Sequence, residues 1–193
     1  MENKESVKNV IRITAILMII TTVTAVLLAV INMFTEPVIA GNTAKAKQDA
    51  ILEIFPDADD TRSLADDLGS DYPKEISDVY AVFRGGELIG YCADVASMGF
   101  SDNIGMMVGV DLANTVRGIK ILEISDTPGL GMKVNDEAYL SSYIGVKGEA
   151  VFGGNVDAIS GATFSSKGVR NGVNIALAFC AMIRPGSGEE AVG

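Results

Sequence analysis

A run of hydroxyl-bearing residues at positions 157–166 is the part of this sequence whose side chains could do chemistry. It reads Asp-Ala-Ile-Ser-Gly-Ala-Thr-Phe-Ser-Ser and leads into a helical pattern. Serine and threonine at the start of a helix can bond the free amides of its first turn, and those amides together with the helix dipole favour a phosphate. Gly161 and Ala162 leave the backbone nearly bare, so a bulky ligand could approach closely. The pattern fits two interpretations, an ordinary helix cap or an anion-binding turn.

Composition excludes several classes of catalytic and metal site. The chain has no histidine, which excludes a serine-histidine triad, a histidine metal cluster and a histidine general base. Its two cysteines, Cys92 and Cys180, are too few for a four-cysteine iron–sulfur cluster or zinc site. They are interpreted as small buried apolar residues, with a disulfide between them as the alternative outside the cytoplasm. Redox work by this chain would therefore require a cofactor.

The run at 157–166 resembles the flavinylation motif of a known FMN-binding domain. That domain is shared by the G subunit of Rnf-type electron transport complexes and the C subunit of sodium-pumping NADH:quinone reductases. The resemblance implies that Thr163 carries FMN as a phosphoester, transferred from FAD by a separate magnesium-dependent flavin transferase. It also implies that Asp157 belongs to the motif that the transferase recognises. The other cofactor-binding residues that it implies in this run are Ser160, Gly161, Ala162, Ser165 and Ser166, of which the three serines would orient the phosphate.

A second motif at 126–131 supports the same resemblance. Its sequence, Asp-Thr-Pro-Gly-Leu-Gly, resembles the Glu-Thr-Pro-Gly-Leu-Gly loop that lies against the flavin in that family. Proline and glycine stand where a type II turn requires them. The chain departs from the family pattern at Asp126, an aspartate for a glutamate, and at 100–103, where the family usually has glycines. The cofactor-binding residues implied here are Asp126, Thr127, Pro128, Gly129 and Leu130.

The N-terminal region predicts a membrane span. Residues 13–31 carry no charge, and the first charge after Arg12 is Glu36. A helix of this length crosses a hydrocarbon core of about 30 Å. The alternative is a cleaved signal peptide with a small-residue site at 38–40, but the apolar stretch is longer than the roughly 7 to 15 residues of most signal sequences. We therefore expect a retained anchor at 13–35.

The distribution of basic residues predicts the orientation of that anchor. Three basic side chains precede it, whereas none follows before Lys45. The positive-inside rule then puts the N-terminus in the cytoplasm and the rest of the chain outside. We expect residues 1–35 to form the cytoplasmic N-terminus and single transmembrane helix, and residues 36–193 to form one extracytoplasmic FMN-binding domain.

The pattern of residues 36–193 predicts an α+β fold, an antiparallel sheet with flanking helices. A short helix is expected at 43–55, stopped by proline, and an acidic connector at 56–72. Strands are expected at 79–84 and 87–95, joined by a Gly-Gly hairpin turn, and at 104–112 and 119–124. An apolar stripe at helical spacing predicts the closing helix, and its residues are Val169, Val173, Ala176, Leu177 and Cys180.

The net charge and the absence of known binding motifs limit the classes of partner that this chain could bind. Residues 36–193 carry 12 basic and 23 acidic side chains, a net charge of −11 that argues against nucleic acid. The chain has no GxGxxG, so it should not bind NAD by itself. The resemblance implies an electron carrier subunit, not catalytic alone, in a complex whose membrane and peripheral subunits couple ferredoxin:NAD electron transfer to ion movement. The alternatives are a free-standing extracytoplasmic flavoprotein reductase and a non-redox anchored binding module.

Overall fold

A computed structural model describes residues 2–65, 73–126, 129 and 131–184 of the chain. The chain divides into two compact units, Met1–Lys45 and Ala46–Gly193. Part of the predicted acidic connector, 66–72, lies outside the described residues. Three residues of the second motif, Thr127, Pro128 and Leu130, lie outside them as well.

The first element is one long helix, α1, at Glu2–Ile54. From Lys8 onward it is long and apolar enough to cross a membrane by length and composition. Its apolar side chains are exposed in the predicted span, and the hydroxyls of three threonines there, Thr21, Thr22 and Thr24, donate to carbonyls of the preceding turn, as Thr22 does to Met18 at 2.7 Å. These bonds satisfy the hydroxyls inside the helix, so threonine is compatible with the span.

Residues 43–54 are helical as predicted, but the prediction of a separate helix is wrong, because α1 runs without interruption through Pro37 to Ile54. Proline removes one helical hydrogen bond and crowds the preceding turn, at a cost of about 3 kcal/mol in a helix interior. Residues 44–50 are rich in alanine, lysine and glutamine, which favour the helix and help to carry it past that point. The predicted stop is confirmed, since Phe55 closes the last bond to Ile51 and Pro56 follows.

Five antiparallel strands follow in the order of the chain. They are β1 at Asp60–Ser63, β2 at Ile76–Arg84, β3 at Glu87–Met98, β4 at Asn103–Asp111 and β5 at Val116–Ile124. Strands β2 to β5 and their antiparallel arrangement confirm the four predicted strands and the predicted fold class. Strand β1 was missed because it lies in the acidic segment and at the sheet edge, where mostly exposed polar side chains leave no apolar alternation.

The predicted two-residue hairpin joins β2 to β3. Gly85 and Gly86 both have positive φ, 60° and 81°, as a type I′ turn requires. Arg84 and Glu87 face each other across the turn. This turn sets the register of the two strands.

One face of the sheet is covered by the last helix, α3, at Thr163–Ile183. All five residues of the predicted stripe are buried. The helix comes close to the sheet at two glycines. A Cβ at Gly168 would lie 2.7 Å from the Met98 carbonyl oxygen, and one at Gly172 would lie 2.9 Å from the Met106 sulfur. Before α3, residues Gly131–Asn135 form a 3-10 helix and α2 spans Glu137–Ser141.

The C-terminal end of α1 packs on the opposite face of the sheet. Ile54 and Phe55 pack over glycines of β3, β4 and β5: a Cβ would collide with them at the glycines of β3 and β4 and would lie in tight contact with Ile54, at 3.3 Å, at the glycine of β5. Lys47 adds an ion pair with Asp94 at 2.7 Å. The glycines concerned are Gly90, Gly109 and Gly118.

The two cysteines are free thiols, so the disulfide alternative is not formed. Cys92 belongs to the apolar cluster under the end of α1, whereas Cys180 belongs to the cluster under α3. Both are buried, as the interpretation of small apolar residues requires. Burial raises the pKa of Cys180 to about 12 and raises the pKa of Cys92 as well.

Candidate functional site

The turn that begins α3 contains backbone amides that have no acceptor within the helix. Ala162 is the N-cap and makes no side-chain cap hydrogen bond, so the capping by serine or threonine that the sequence allowed does not occur. The first helical bond runs from the Ser166 amide to the Ala162 carbonyl at 2.9 Å. The amides of Thr163, Phe164 and Ser165 therefore have no acceptor within the helix. The first turn of this 21-residue helix carries no acidic side chain of its own, although the Asp126 carboxylate beside Ser165 offsets part of the attraction of the helix dipole for an anion.

Thr163 lies at the surface of this turn. Its side chain is exposed, and among the residues that the structure describes its hydroxyl has no hydrogen-bond partner. Gly161 has φ of +83°, a conformation that side chains rarely adopt, and it turns the chain into the helix. The Thr163 hydroxyl is thus accessible to an incoming group.

Asp126 is the centre of the hydrogen bonds that hold this turn. Its buried carboxylate, 4% exposed, accepts from the Ser101 amide at 2.7 Å and from the Phe100 amide at 3.1 Å. It also accepts from the Ser165 hydroxyl at 2.6 Å. Burial would raise the pKa of Asp126, but the hydrogen bonds from Ser101, Ser165 and Phe100 outweigh it, and the pKa is lowered. Asp126 is therefore ionised at neutral pH and ties the β3–β4 turn to the start of α3.

The three serines predicted to orient a phosphate occupy different environments. Ser160 is exposed. Ser165 is 1% exposed and donates to Asp126, while Ser166 is fully buried and accepts from the Ile159 amide at 3.0 Å. The hydroxyls of Ser165 and Ser166 therefore hold the turn, and the phosphate role of all three serines stays a prediction.

The second motif meets the first in space. A Cβ at Gly131 would lie 2.6 Å from the Asp126 Cβ and 2.9 Å from the Ser165 hydroxyl, so the chain passes close to both. Gly129 has φ of +80°, which confirms the positive φ expected at the third position of a type II turn. Gly131 is therefore required by the close approach of the backbone, and Gly129 by its positive φ.

Two exposed aromatic side chains border the Thr163 turn, and no pattern in the sequence indicates that they meet. Phe100, 59% exposed, lies 5.8 Å from Phe164, 62% exposed, between ring centroids. The Lys167 ammonium lies 5.5 Å from the Phe164 ring centroid. A cavity of about 110 Å³ opens beside the pair. Its lining residues are Phe100, Gly131, Gly161, Ala162, Thr163, Phe164 and Ser165.

Asp157 lies on another surface of the same turn. It is exposed and borders a shallow depression with Tyr139 and Ser142 near α2. Asp157 is thus open to a partner protein, although its predicted role in transferase recognition stays a prediction.

Comparison with known proteins identifies the family. A family model for the FMN-binding domain matches residues 99–178, and one for the RnfG N-terminal region matches residues 1–54. The G subunit of the Na⁺-translocating ferredoxin:NAD⁺ oxidoreductase complex of Acetobacterium woodii is 30% identical over 199 residues, covering 92% of this chain and 96% of the relative. The chain belongs to the RnfG family.

Other relatives include the G subunit of the ion-translocating oxidoreductase complex of Methanosarcina acetivorans. It is 26% identical to this RnfG family member over 179 residues, covering 88% of this chain and 94% of the relative. The crystal structure of Shewanella oneidensis NqrC has a TM-score of 0.49 and 23% identity, covering 65% of this chain and 81% of that chain.

The FMN-binding domain of this RnfG family member contains both motifs of the candidate site. Its features suit FMN: an exposed hydroxyl at Thr163, free amides for a phosphate, and an aromatic pair of the right chemistry for a flavin ring. When bound, FMN would supply the redox chemistry that the side chains lack.

Proposed function

We propose that this chain is an electron carrier subunit of a membrane-bound Rnf-type complex and that it carries FMN as a phosphoester on Thr163. The observation that carries the proposal is the exposed Thr163 hydroxyl, unpaired among the described residues, at a helix start whose first three amides have no acceptor within the helix. The match of residues 99–178 to the FMN-binding domain and the names of the relatives support the cofactor and the complex.

The start of α3 would hold the phosphate of FMN. The amides of Thr163, Phe164 and Ser165 are the donors, and the Lys167 side chain follows one turn later. Charge at a helix N-terminus contributes about 0.3–1 kcal/mol at an exposed site. This modest stabilisation orients a phosphate but would not retain a free cofactor, which gives the covalent bond its purpose.

Attachment would require a separate flavin transferase. An alcohol needs a base to become a nucleophile, and the chain has no histidine. Asp126 is close by, but its carboxylate is already engaged by Ser101, Phe100 and Ser165. Exposed Asp157, on the same turn, is available for recognition by the transferase.

Other subunits would supply the remaining chemistry. The chain has no nicotinamide-binding motif, and its cysteines are too few for a four-cysteine iron–sulfur cluster, so ferredoxin and NAD would react elsewhere in the complex. Residues 13–35 would anchor the chain in the cell membrane with the N-terminus in the cytoplasm. The FMN domain at 36–193 would then work on the outer side.

The proposal is tested by Thr163→Ala in the complex produced together with its flavin transferase. The variant should lose all covalent flavin, read as fluorescence of the denatured protein band, while its free energy of unfolding changes by about 1 kcal/mol or less, because Thr163 is not the cap. Ser141→Ala is the control: it removes an exposed hydroxyl from α2, outside both motifs, and should keep the flavin. Wild-type fluorescence in Thr163→Ala would contradict the attachment site.

A further inference from the structure

The exposed pair Phe100 and Phe164 lies outside the apolar core. A single exposed apolar side chain is ordinary, but two aromatic rings held 5.8 Å apart beside a candidate attachment hydroxyl form a small apolar surface. The rings come from different parts of the chain, Phe100 from the β3–β4 turn and Phe164 from the first turn of α3. The fold must therefore bring them together.

The Asp126 carboxylate holds the two backbone segments that carry these rings. On one side it accepts the Phe100 and Ser101 amides, and on the other it accepts the Ser165 hydroxyl, next to Phe164. The Gly99 amide closes the β3–β4 turn by donating to the Asp102 carbonyl at 2.9 Å. The backbones that carry the rings are thus held in place by buried bonds before any ligand arrives.

We propose that Phe100 and Phe164 form an aromatic platform that covers one side of the flavin ring system of FMN held at Thr163, an inference that rests on the proposed attachment. Both rings and Thr163 line the same cavity, so a group tethered at Thr163 is kept at high local concentration beside them. The two phenyl planes are inclined at 56°, so a planar aromatic ring system stacks on one ring and meets the other at an angle, an arrangement that aromatic groups favour.

The size of the cavity determines how much of the ring system the platform can cover. Its volume is about 110 Å³, whereas pockets that enclose a drug-sized ligand are roughly 300–1,000 Å³. The platform therefore covers part of the flavin and leaves the rest of the ring system outside this cavity. An exposed edge is what electron exchange with a neighbouring subunit requires.

Phe100→Ala tests the platform in the flavinylated chain. Phe100 is distant in sequence from the acceptor motif, so the variant should retain full flavin content in the denatured band. In the native protein, quenching of flavin fluorescence by acrylamide should rise by about twofold, because one of two covering rings is lost. Ile144→Ala, which removes an exposed apolar side chain elsewhere, should leave the quenching unchanged.

A thermal-melting cycle gives an independent measurement. Phe100→Ala should lower Tm more when FMN is attached than in the Thr163→Ala background, because the contact with Phe164 is lost in both and contact with the flavin is lost only in the first. Full flavin content with wild-type quenching in Phe100→Ala would overturn the platform alone. Absence of covalent flavin from the wild-type chain would overturn the attachment and the platform together.

Discussion

Asp126 is the residue on which the geometry around Thr163 depends. Its carboxylate is buried, and its three donors come from both sides of the site. Asp126→Asn replaces one acceptor oxygen by a donor that faces other donors, so it should lower the free energy of unfolding by about 1–3 kcal/mol. Chemical denaturation measures this loss. Asp157→Asn is the matched control, since Asp157 is exposed, and an equal loss in both variants would contradict the role of Asp126.

The same carboxylate predicts a pH dependence. The pKa of Asp126 is lower in the folded protein than in the unfolded chain, because its hydrogen bonds outweigh the effect of burial. Its stabilisation is therefore present above the ordinary aspartate pKa of about 3.9 and is lost as the pH falls through the lower folded value. The stability difference between wild type and Asp126→Asn should shrink over that acid range. A difference independent of pH from neutrality to the acid limit of folding would show that the charge is not responsible.

At the scale of elements, the close approach of α3 to the sheet depends on Gly168. Alanine normally favours a helix, but here its Cβ would lie 2.7 Å from the Met98 carbonyl oxygen and 3.2 Å from Gly99. Gly168→Ala should therefore destabilise the domain by about 1–3 kcal/mol. Gly105→Ala is the matched control, because its nearest neighbour would be the Glu123 Cβ at 3.5 Å. Melting curves that favour Gly168→Ala over wild type would contradict this packing.

Elements with a strong local sequence pattern were predictable from the sequence, whereas elements and contacts that depend on the tertiary structure were not. The stripe of α3 and the Gly85-Gly86 turn follow from local rules and match the structure. Edge strand β1 carries no apolar alternation, and the continuity of α1 through Pro37 overrides a local signal. The Thr163 turn was located by its motif. The contacts of Asp126 and the meeting of Phe100 with Phe164 depend on tertiary placement, which spacing along the chain does not encode.

At the scale of the whole molecule, the charge pattern around the apolar helix predicts where the flavin domain lies. A cysteine introduced at exposed Glu87 should react with a membrane-impermeant thiol reagent in intact cells. A cysteine at Ser6 should react only after lysis. Cys92 and Cys180 should give little background, because both thiols are buried and their pKa values are raised. The opposite labelling pattern would reverse the topology.

The central claim is a phosphoester between FMN and Thr163, and peptide mass spectrometry of the native complex tests it most directly. Cleavage after lysine and arginine releases residues 148–167, which contain Thr163 together with Ser160, Ser165 and Ser166. We expect this peptide to be heavier by the mass of FMN minus one water, with fragment ions that place the addition on Thr163. Flavin on another hydroxyl, or flavin lost on denaturation with an unmodified peptide, would contradict the claim.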